Sequence, residues 1–249
     1  ARVAVAGRNA ERGEARVQEI ADAGGEAQFF ACDAMDPASL KSCHEAVGQA
    51  LGAPTVLLNA AGGNHPDAVV TPEMPFEKIP LPGWASVFDL NLVGGFLLPC
   101  QEFGPAMCGR GKGSIINIAS ILGFRVIKGV APYAISKAGL VQMTRSLALE
   151  WSRYAIRVNA IAPGFINTDM NREFFKTEAG LSMQKRIPMR RVGDPDELAG
   201  ALLLLALDVA SDVSGSVITV VGGHLLLTVE ANTRVSGYPA TGGCKQHGT

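Results

Sequence analysis

What this 249-residue sequence has little of narrows its function first. Charge is scarce: 18% of residues are charged, against a usual share of about 25%. The 22 basic and 23 acidic residues leave a net charge of −1. There is no basic excess of the kind that holds nucleic acid or an anionic membrane, and neither partner is expected. Five cysteines, Cys32, Cys43, Cys100, Cys108 and Cys244, form no CxxC pair. With His44, His65, His224 and His247 they show no clustered ligand spacing, so no metal site is expected and a zinc-dependent alcohol dehydrogenase has no support. An odd, scattered cysteine count suits reduced thiols in a cytoplasmic protein. The longest apolar run, 201–207, is far short of the about 20 residues that cross a bilayer. No charged-then-apolar leader opens the chain, and no methionine does either. The chain starts inside a strand-like run, so residue 1 is not expected to be the native N-terminus.

Glycine, at 29 residues, is abundant, and with low charge it suits a compact, oligomeric enzyme with tight turns. Strand-like runs at 3–6, 27–31, 55–59, 114–119, 156–161 and 216–221 alternate with helical patterns at 10–24, 37–51, 83–108, 132–153 and 194–208. Asp36-Pro37 and Asp194-Pro195 each place an N-cap before a proline, and Gly24, Gly25 and Gly52 can close helices in left-handed geometry. Such alternation predicts an α/β fold with right-handed crossovers and a parallel sheet covered on both faces. One domain is expected over 1–227, with a tail at 228–249. The segment 165–190 is irregular and long enough for a lid. The stretch 83–108 carries Asn91, Gly94, Gly95 and Pro99, all poor helix-interior residues, which points to a buried, kinked or functional helix. The helices at 83–108 and 132–153 have spare apolar faces, which predicts a homo-oligomer, a dimer or tetramer.

Tyr133 and Lys137 stand four apart on a predicted helix and so share a face. An ammonium a few Å from a phenol lowers its pKa and fits the pair for acid–base work on an alcohol or carbonyl. Ser120 ends a strand, where open parallel sheets bind ligands. Together, Asn59-Ala60-Ala61-Gly62, Asn91, Ser120, Tyr133 with Lys137, Arg157-Val158-Asn159, Pro163-Gly164 and Val221-Gly222-Gly223 resemble the short-chain dehydrogenase/reductase family over about residues 1–227. The resemblance implies a Rossmann-like doubly wound parallel sheet and hydride transfer between a nicotinamide and a carbonyl or secondary alcohol.

By that resemblance Tyr133 is the proton donor or acceptor, and Lys137 tunes it and holds the nicotinamide ribose. Ser120 polarises the substrate oxygen, and Asn91 supports a water-linked relay. Asn59, Ala60, Gly62, Pro163 and Gly164 join the cofactor site; Ile166 and Thr168 face the nicotinamide end, and Asp33 the adenine edge. The strand at 3–6 ends in Arg8 with no acid, which suits a 2′-phosphate and so NADP, with NAD the alternative. The family's first strand, its glycine-rich phosphate turn and the following helix are missing from this chain, so the native protein is expected to carry about 30 more residues, one strand–helix unit. Without that strand the sheet would split and leave two inner edges unpaired. A truncated, non-catalytic nucleotide-binding or scaffold relative is the alternative.

The loop from Gly62 to Ala68 and the run from Ile187 to Leu198 resemble the family's sugar-acid branch, which includes D-mannonate (fructuronate) oxidoreductase-like and gluconate dehydrogenase-like enzymes. Arg125 and Arg172 are candidate carboxylate partners, and Asn64 and His65 candidate hydroxyl partners. Other ketones or 3-oxoacyl compounds stay open as substrates, since Phe96, Phe103, Phe124 and Phe165 could equally line an apolar pocket.

Overall fold

Short apolar segments become strands because the helices between them return the chain to the same end of a sheet. In chain order these are β1 (Arg2–Gly7), α1 (Ala10–Asp22), β2 (Glu26–Ala31), α2 (Pro37–Leu51), β3 (Val56–Asn59), α3 (Leu81–Phe88), α4 (Leu98–Arg110), β4 (Gly113–Ile118), α5 (Ala131–Trp151), β5 (Ile156–Pro163), α6 (Arg172–Lys176), α7 (Glu178–Gln184), α8 (Ala199–Ala206) and β6 (Val217–Val220). The structure, a computed structural model, describes residues 1–168 and 171–226; the segment read as a tail lies outside them.

All pairings are parallel, and the sheet is in two pieces. β1 pairs with β2 from Arg2 opposite Glu26 to Gly7 opposite Ala31. The second piece runs β3-β4-β5-β6. Among the described residues no strand joins β1 to β3, so Val3 on one edge and Val56 and Leu58 on the other stay well exposed. This is the split expected for the family's sheet without its first strand.

β4 and β5 are buried along almost their whole length, as parallel strands covered on both faces are. One core gathers Met107 of α4, Ile115 of β4, Leu140 and Val141 of α5 and Val158 of β5. On the opposite face Ile116 and Ile161 meet Leu205 of α8. A third cluster joins Phe30, Leu40, Cys43, Val47 and Phe103 and ties β2 through α2 to α4. Phe96 and Phe103 are thus core residues.

The caps form as read. Asp36 accepts from the Ala38 N–H at 2.9 Å, with Pro37 at the first helical position. Glu197 accepts from the Asp194 N–H at 2.8 Å, although the stretch from Pro195 to Leu198 is a 3₁₀ turn before α8. The segment 165–190, read as irregular, holds α6 and α7.

The weak helix has a specific form. The backbone between α3 and α4, Asp89–Leu97, is π-helical, and the Leu98 N–H bonds the Val93 carbonyl five residues back. Gly95 lets this segment pack directly on the loop after β3, since a Cβ there would sit 2.5 Å from the Ala61 carbonyl oxygen. By length and hydropathy alone the 30-residue run Leu81–Arg110 would cross a bilayer. Here it packs on α2 and α5 and covers the sheet.

Candidate active site

The carboxyl ends of β3, β4, β5 and β6 converge, and the candidate residues gather there. β4 stops at Ile118, and Ser120 opens a 3₁₀ turn with its Oγ accepting from the Leu122 N–H at 3.1 Å. Helix α5 packs on that turn and on β5. Tyr133 and Lys137 lie in its first two turns, on the face toward Ser120. The Ser120 hydroxyl faces Tyr133 closely enough to act on its ionisation. Lys137 is 4% exposed; its Nζ donates to the Ile118 carbonyl at 2.8 Å and lies 5.7 Å from the centre of the Tyr133 ring.

The electrostatics correct one expectation. The Tyr133 pKa is raised, not lowered: burial disfavours the phenolate, and the Ser120 hydrogen bond pulls the other way. Lys137 stands beside the ring, and burial pushes its own pKa down to about 8. An i,i+4 spacing fixes the shared face but not the dielectric around it. Spacing shows the pair; the β4 turn and the β6 turn that bury it come from far along the chain.

Asn91 is fully buried on the π-helical segment. Its Oδ1 accepts from the Gly63 N–H at 3.0 Å, and its Nδ2 donates to the Gly63 and Val87 carbonyls at 2.7 and 2.9 Å. The loop after β3 is thereby pinned beside Lys137. Gly62 has to be glycine at this point: a Cβ would lie 2.7 Å from Asn91 Oδ1 and 3.1 Å from Lys137 Nζ. Asn91 Oδ1 and Lys137 Nζ therefore both close on the backbone at Gly62.

Asn59 is turned inward. Its Nδ2 donates to Asn117 Oδ1 at 2.9 Å, and Asn117 donates to Thr144 at 3.0 Å, tying β3 to β4 and α5. Ala60 follows it at the strand end, exposed. At the end of β5 the Gly164 N–H bonds the Val220 carbonyl at 2.9 Å, which holds Pro163 and Gly164 against β6. Ile166 is buried and bridges to Gly193. Thr168 donates through Oγ1 to Asn171 Oδ1 at 3.0 Å, and Asn171 donates to the Ile166 carbonyl at 2.8 Å.

The remaining candidates lie farther apart. Arg8 and Asp33 face each other at 3.9 Å across the ends of β1 and β2, both substantially exposed. Asn64 accepts from the His65 N–H at 3.0 Å, and His65 Nδ1 accepts from the Asp67 N–H at 3.2 Å and caps a 3₁₀ turn. Arg172 heads α6. Arg125 donates to the His224 carbonyl at 2.8 Å. His224 was not singled out from the sequence. The available signal was its place after Gly222 and Gly223, at the carboxyl end of β6, which is where parallel sheets build sites. Among the described residues no three His, Cys, Asp or Glu side chains gather in a metal-like group.

Comparison with known proteins agrees with this architecture. A family model described as enoyl-(acyl carrier protein) reductase matches residues 1–224. D-threitol dehydrogenase of Mycolicibacterium smegmatis is 34% identical over 226 residues, 91% of this chain and 84% of that protein. A candidate D-mannonate oxidoreductase from Haemophilus influenza, solved with bound NAD, superposes with a TM-score of 0.85 at 31% identity, covering 92% of this chain and 87% of that one. A gluconate 5-dehydrogenase from Burkholderia cenocepacia, in complex with NADP and tartrate, gives 0.81 at 28% identity, covering 90% and 86%.

Proposed function

The chain belongs to the short-chain dehydrogenase/reductase family of oxidoreductases, and from that premise we propose that it interconverts a carbonyl and a secondary alcohol on a sugar acid or polyol, with NADP preferred over NAD. The observation that carries the reading is the buried Ser120 facing the half-buried Tyr133, with the buried Lys137 ammonium beside the Tyr133 ring. A buried ammonium with no carboxylate partner among the described residues is costly. A purely structural scaffold has no use for it, which weighs against a non-catalytic relative.

The residues present fit a nicotinamide cofactor. The space that a Cβ on Gly62 would fill, bordered by Asn91 Oδ1 and Lys137 Nζ, is a polar cradle. In it Lys137 would hold the ribose hydroxyls, with Pro163, Gly164, Ile166 and Thr168 along the nicotinamide end. Ala60 and Gly62 would lie beside it and Asp33 at the adenine edge. Arg8 would contact the 2′-phosphate, the contact that favours NADP. When bound, the cofactor supplies or accepts the hydride. The chain's own groups manage the proton and the position. Ser120 holds the substrate oxygen. Tyr133, kept neutral by burial, donates its proton to that oxygen in reduction and accepts it back in oxidation. Asn91 and Lys137 would carry the proton onward through a water-linked relay.

Support for the substrate class comes from the relatives, which include a D-threitol dehydrogenase and a gluconate 5-dehydrogenase solved with NADP and tartrate. Asn64 and His65 are the hydroxyl contacts and Arg125 and Arg172 the candidate carboxylate contacts in this reading. Exposed apolar residues on α5, Leu149 at 78% and Ile135, mark where copies would meet as a cytoplasmic dimer or tetramer, which light scattering tests.

The deciding experiment is a turnover panel on the purified chain with D-gluconate, D-mannonate, D-threitol and a 3-oxoacyl thioester, each with NADP and NAD. The expected result is turnover of polyhydroxylated substrates, faster with NADP. Tyr133→Phe should lower kcat by about 10²–10⁴-fold. Turnover confined to the thioester, or unaffected by Tyr133→Phe, overturns the reading.

A further inference from the structure

The turn after β6 holds an arrangement that the proton chemistry does not use. His224 is 6% exposed, and its Nδ1 is buried with no hydrogen-bond partner. The residues around it belong to the site. Val221 and Leu225, on either side of the turn, pack with Tyr133, Ile121 and Leu122. The imidazole lies 5.6 Å from the ring of Phe165, which follows Gly164 at the end of β5. Phe165 in turn meets Phe175 of α6. From the other side Arg125 reaches in, five residues beyond Ser120, with its backbone N–H on the Ile121 carbonyl and its guanidinium on the His224 carbonyl. The charges of Arg125 and Arg186 both bear on the imidazole and, after burial itself, keep it neutral.

No acid balances this corner. Among the described residues neither Arg125 nor Arg186 has a carboxylate within ion-pair distance. The Arg125 guanidinium has five N–H donors and makes one hydrogen bond to described protein, to the His224 carbonyl. A half-buried Arg125 and an exposed Arg186, neither with a carboxylate partner among the described residues, and an orphaned buried nitrogen on the turn that packs against Tyr133 are what a negatively charged ligand would satisfy. We propose that Arg125, Arg186 and His224 form a carboxylate-binding corner that seats the acid end of the substrate while its carbonyl or carbinol carbon faces Ser120 and Tyr133. The corner rests on the proposed reading of the site and makes it narrower: the preferred substrate is a polyhydroxy acid, and an uncharged polyol of equal length binds by its hydroxyls alone.

The test is direct binding, which does not need turnover. Calorimetric titration with D-gluconate and with D-glucitol, in the presence of NADPH, with which neither alcohol can exchange a hydride, compares chains that differ at the corner. Wild type should bind D-gluconate at least about 10-fold tighter than D-glucitol, the weight of one charge-assisted contact. Arg186→Gln, at an exposed position whose side chain makes no hydrogen bond to described protein, should lower D-gluconate affinity severalfold. Arg125→Gln should lower it by about 10-fold or more, and both should leave D-glucitol unchanged. If Arg125→Gln disturbs the His224 turn, seen as a changed melting curve, Arg186→Gln decides alone. Equal binding of the two ligands by wild type, or equal losses for both ligands in the variants, overturns the corner. Tight D-gluconate binding through the arginines without oxidation would keep the corner and sink the reaction. Oxidation of sugar acids with unchanged variant affinities would do the reverse.

Discussion

β1 and β5 are both parallel strands rich in alanine and valine or isoleucine, yet no residue of β1 is buried and six of the eight in β5 are. The difference lies in their neighbours. β5 has a strand on each side and helices on both faces; among the described residues β1 has β2 alone. α1 adds little, since its one buried residue is Gly13, against the ring of Phe29. Apolar alternation therefore makes a strand in both regions, but burial comes only from a second strand and a covering helix. The site chemistry follows the same division. Ser120, Asn91 and Lys137 are buried in the four-stranded region, and burial there pushes the Lys137 pKa down to about 8. The two-stranded region offers only Arg8 and Asp33, exposed at strand ends.

The sharpest test of that contrast is a truncation on each side. Ile115→Ala removes a fully buried side chain from β4 and should cost about 2–5 kcal/mol. Val3→Ala, at a position 37% exposed on the open edge of β1, should cost at most about 0.5 kcal/mol. Urea denaturation followed by circular dichroism measures both. Comparable losses would mean that the edge of β1 is covered in solution.

A buried charge should break the rule that the well-packed region is optimised for stability. Holding Lys137 at a pKa of about 8 instead of 10.5 costs on the order of 3 kcal/mol at pH 7. The hydrogen bond to the Ile118 carbonyl returns about 1 kcal/mol. Lys137→Met should therefore stabilise the fold by about 1–2 kcal/mol at neutral pH while abolishing turnover. The sign can be checked with pH. The folded pKa is depressed, so the cost is full below about 8 and fades as pH rises toward 10.5, where the unfolded chain also gives up the proton. The advantage of Lys137→Met should shrink across that window. An advantage that grows with pH would contradict it.

Much of the four-stranded region was legible because its signals are local. Tyr133 and Lys137 are four apart in a helix, Asp36-Pro37 is a cap, and Asn91, Gly94 and Gly95 weaken a helix wherever they stand. That weakness is now the π-helical segment that pins the loop after β3. What was not legible is set by distant parts of the chain. The Tyr133 pKa rises because the turns after β4 and β6 bury it, and no spacing along α5 contains them. Asn59, a cofactor residue by resemblance, spends its side chain on Asn117 because β3 and β4 pair in the register that puts them opposite. His224 follows two glycines and looks like loop until β5 and β6 bring Phe165 against it.

The pH profile of catalysis should carry the signature of the buried pair. Carbonyl reduction needs the Tyr133 proton and the Lys137 charge. Burial raises the first pKa and lowers the second to about 8. The kcat/KM for reduction should hold at neutral pH and fall as pH rises through about 8. Alcohol oxidation, which needs the phenolate, should gain at alkaline pH. A reduction rate that climbs through pH 8 would remove Lys137 from the charged role.

The smallest effect on stability is expected where the two-stranded region meets function. Arg8 and Asp33 sit 3.9 Å apart in solvent, and a pair so exposed adds little to stability. Arg8→Glu should leave the denaturation midpoint within about 0.5 kcal/mol of wild type. It should nevertheless lower kcat/KM with NADP by about 10-fold or more, the loss of one charge-assisted phosphate contact, and spare NAD. Steady-state kinetics with both cofactors reads this directly. Equal losses with NADP and NAD would show Arg8 acting on the fold of β1. No loss with either would leave the cofactor choice to groups outside this strand end. A selective loss with an unmoved midpoint would show that an open, solvent-exposed strand end still discriminates between cofactors by charge alone.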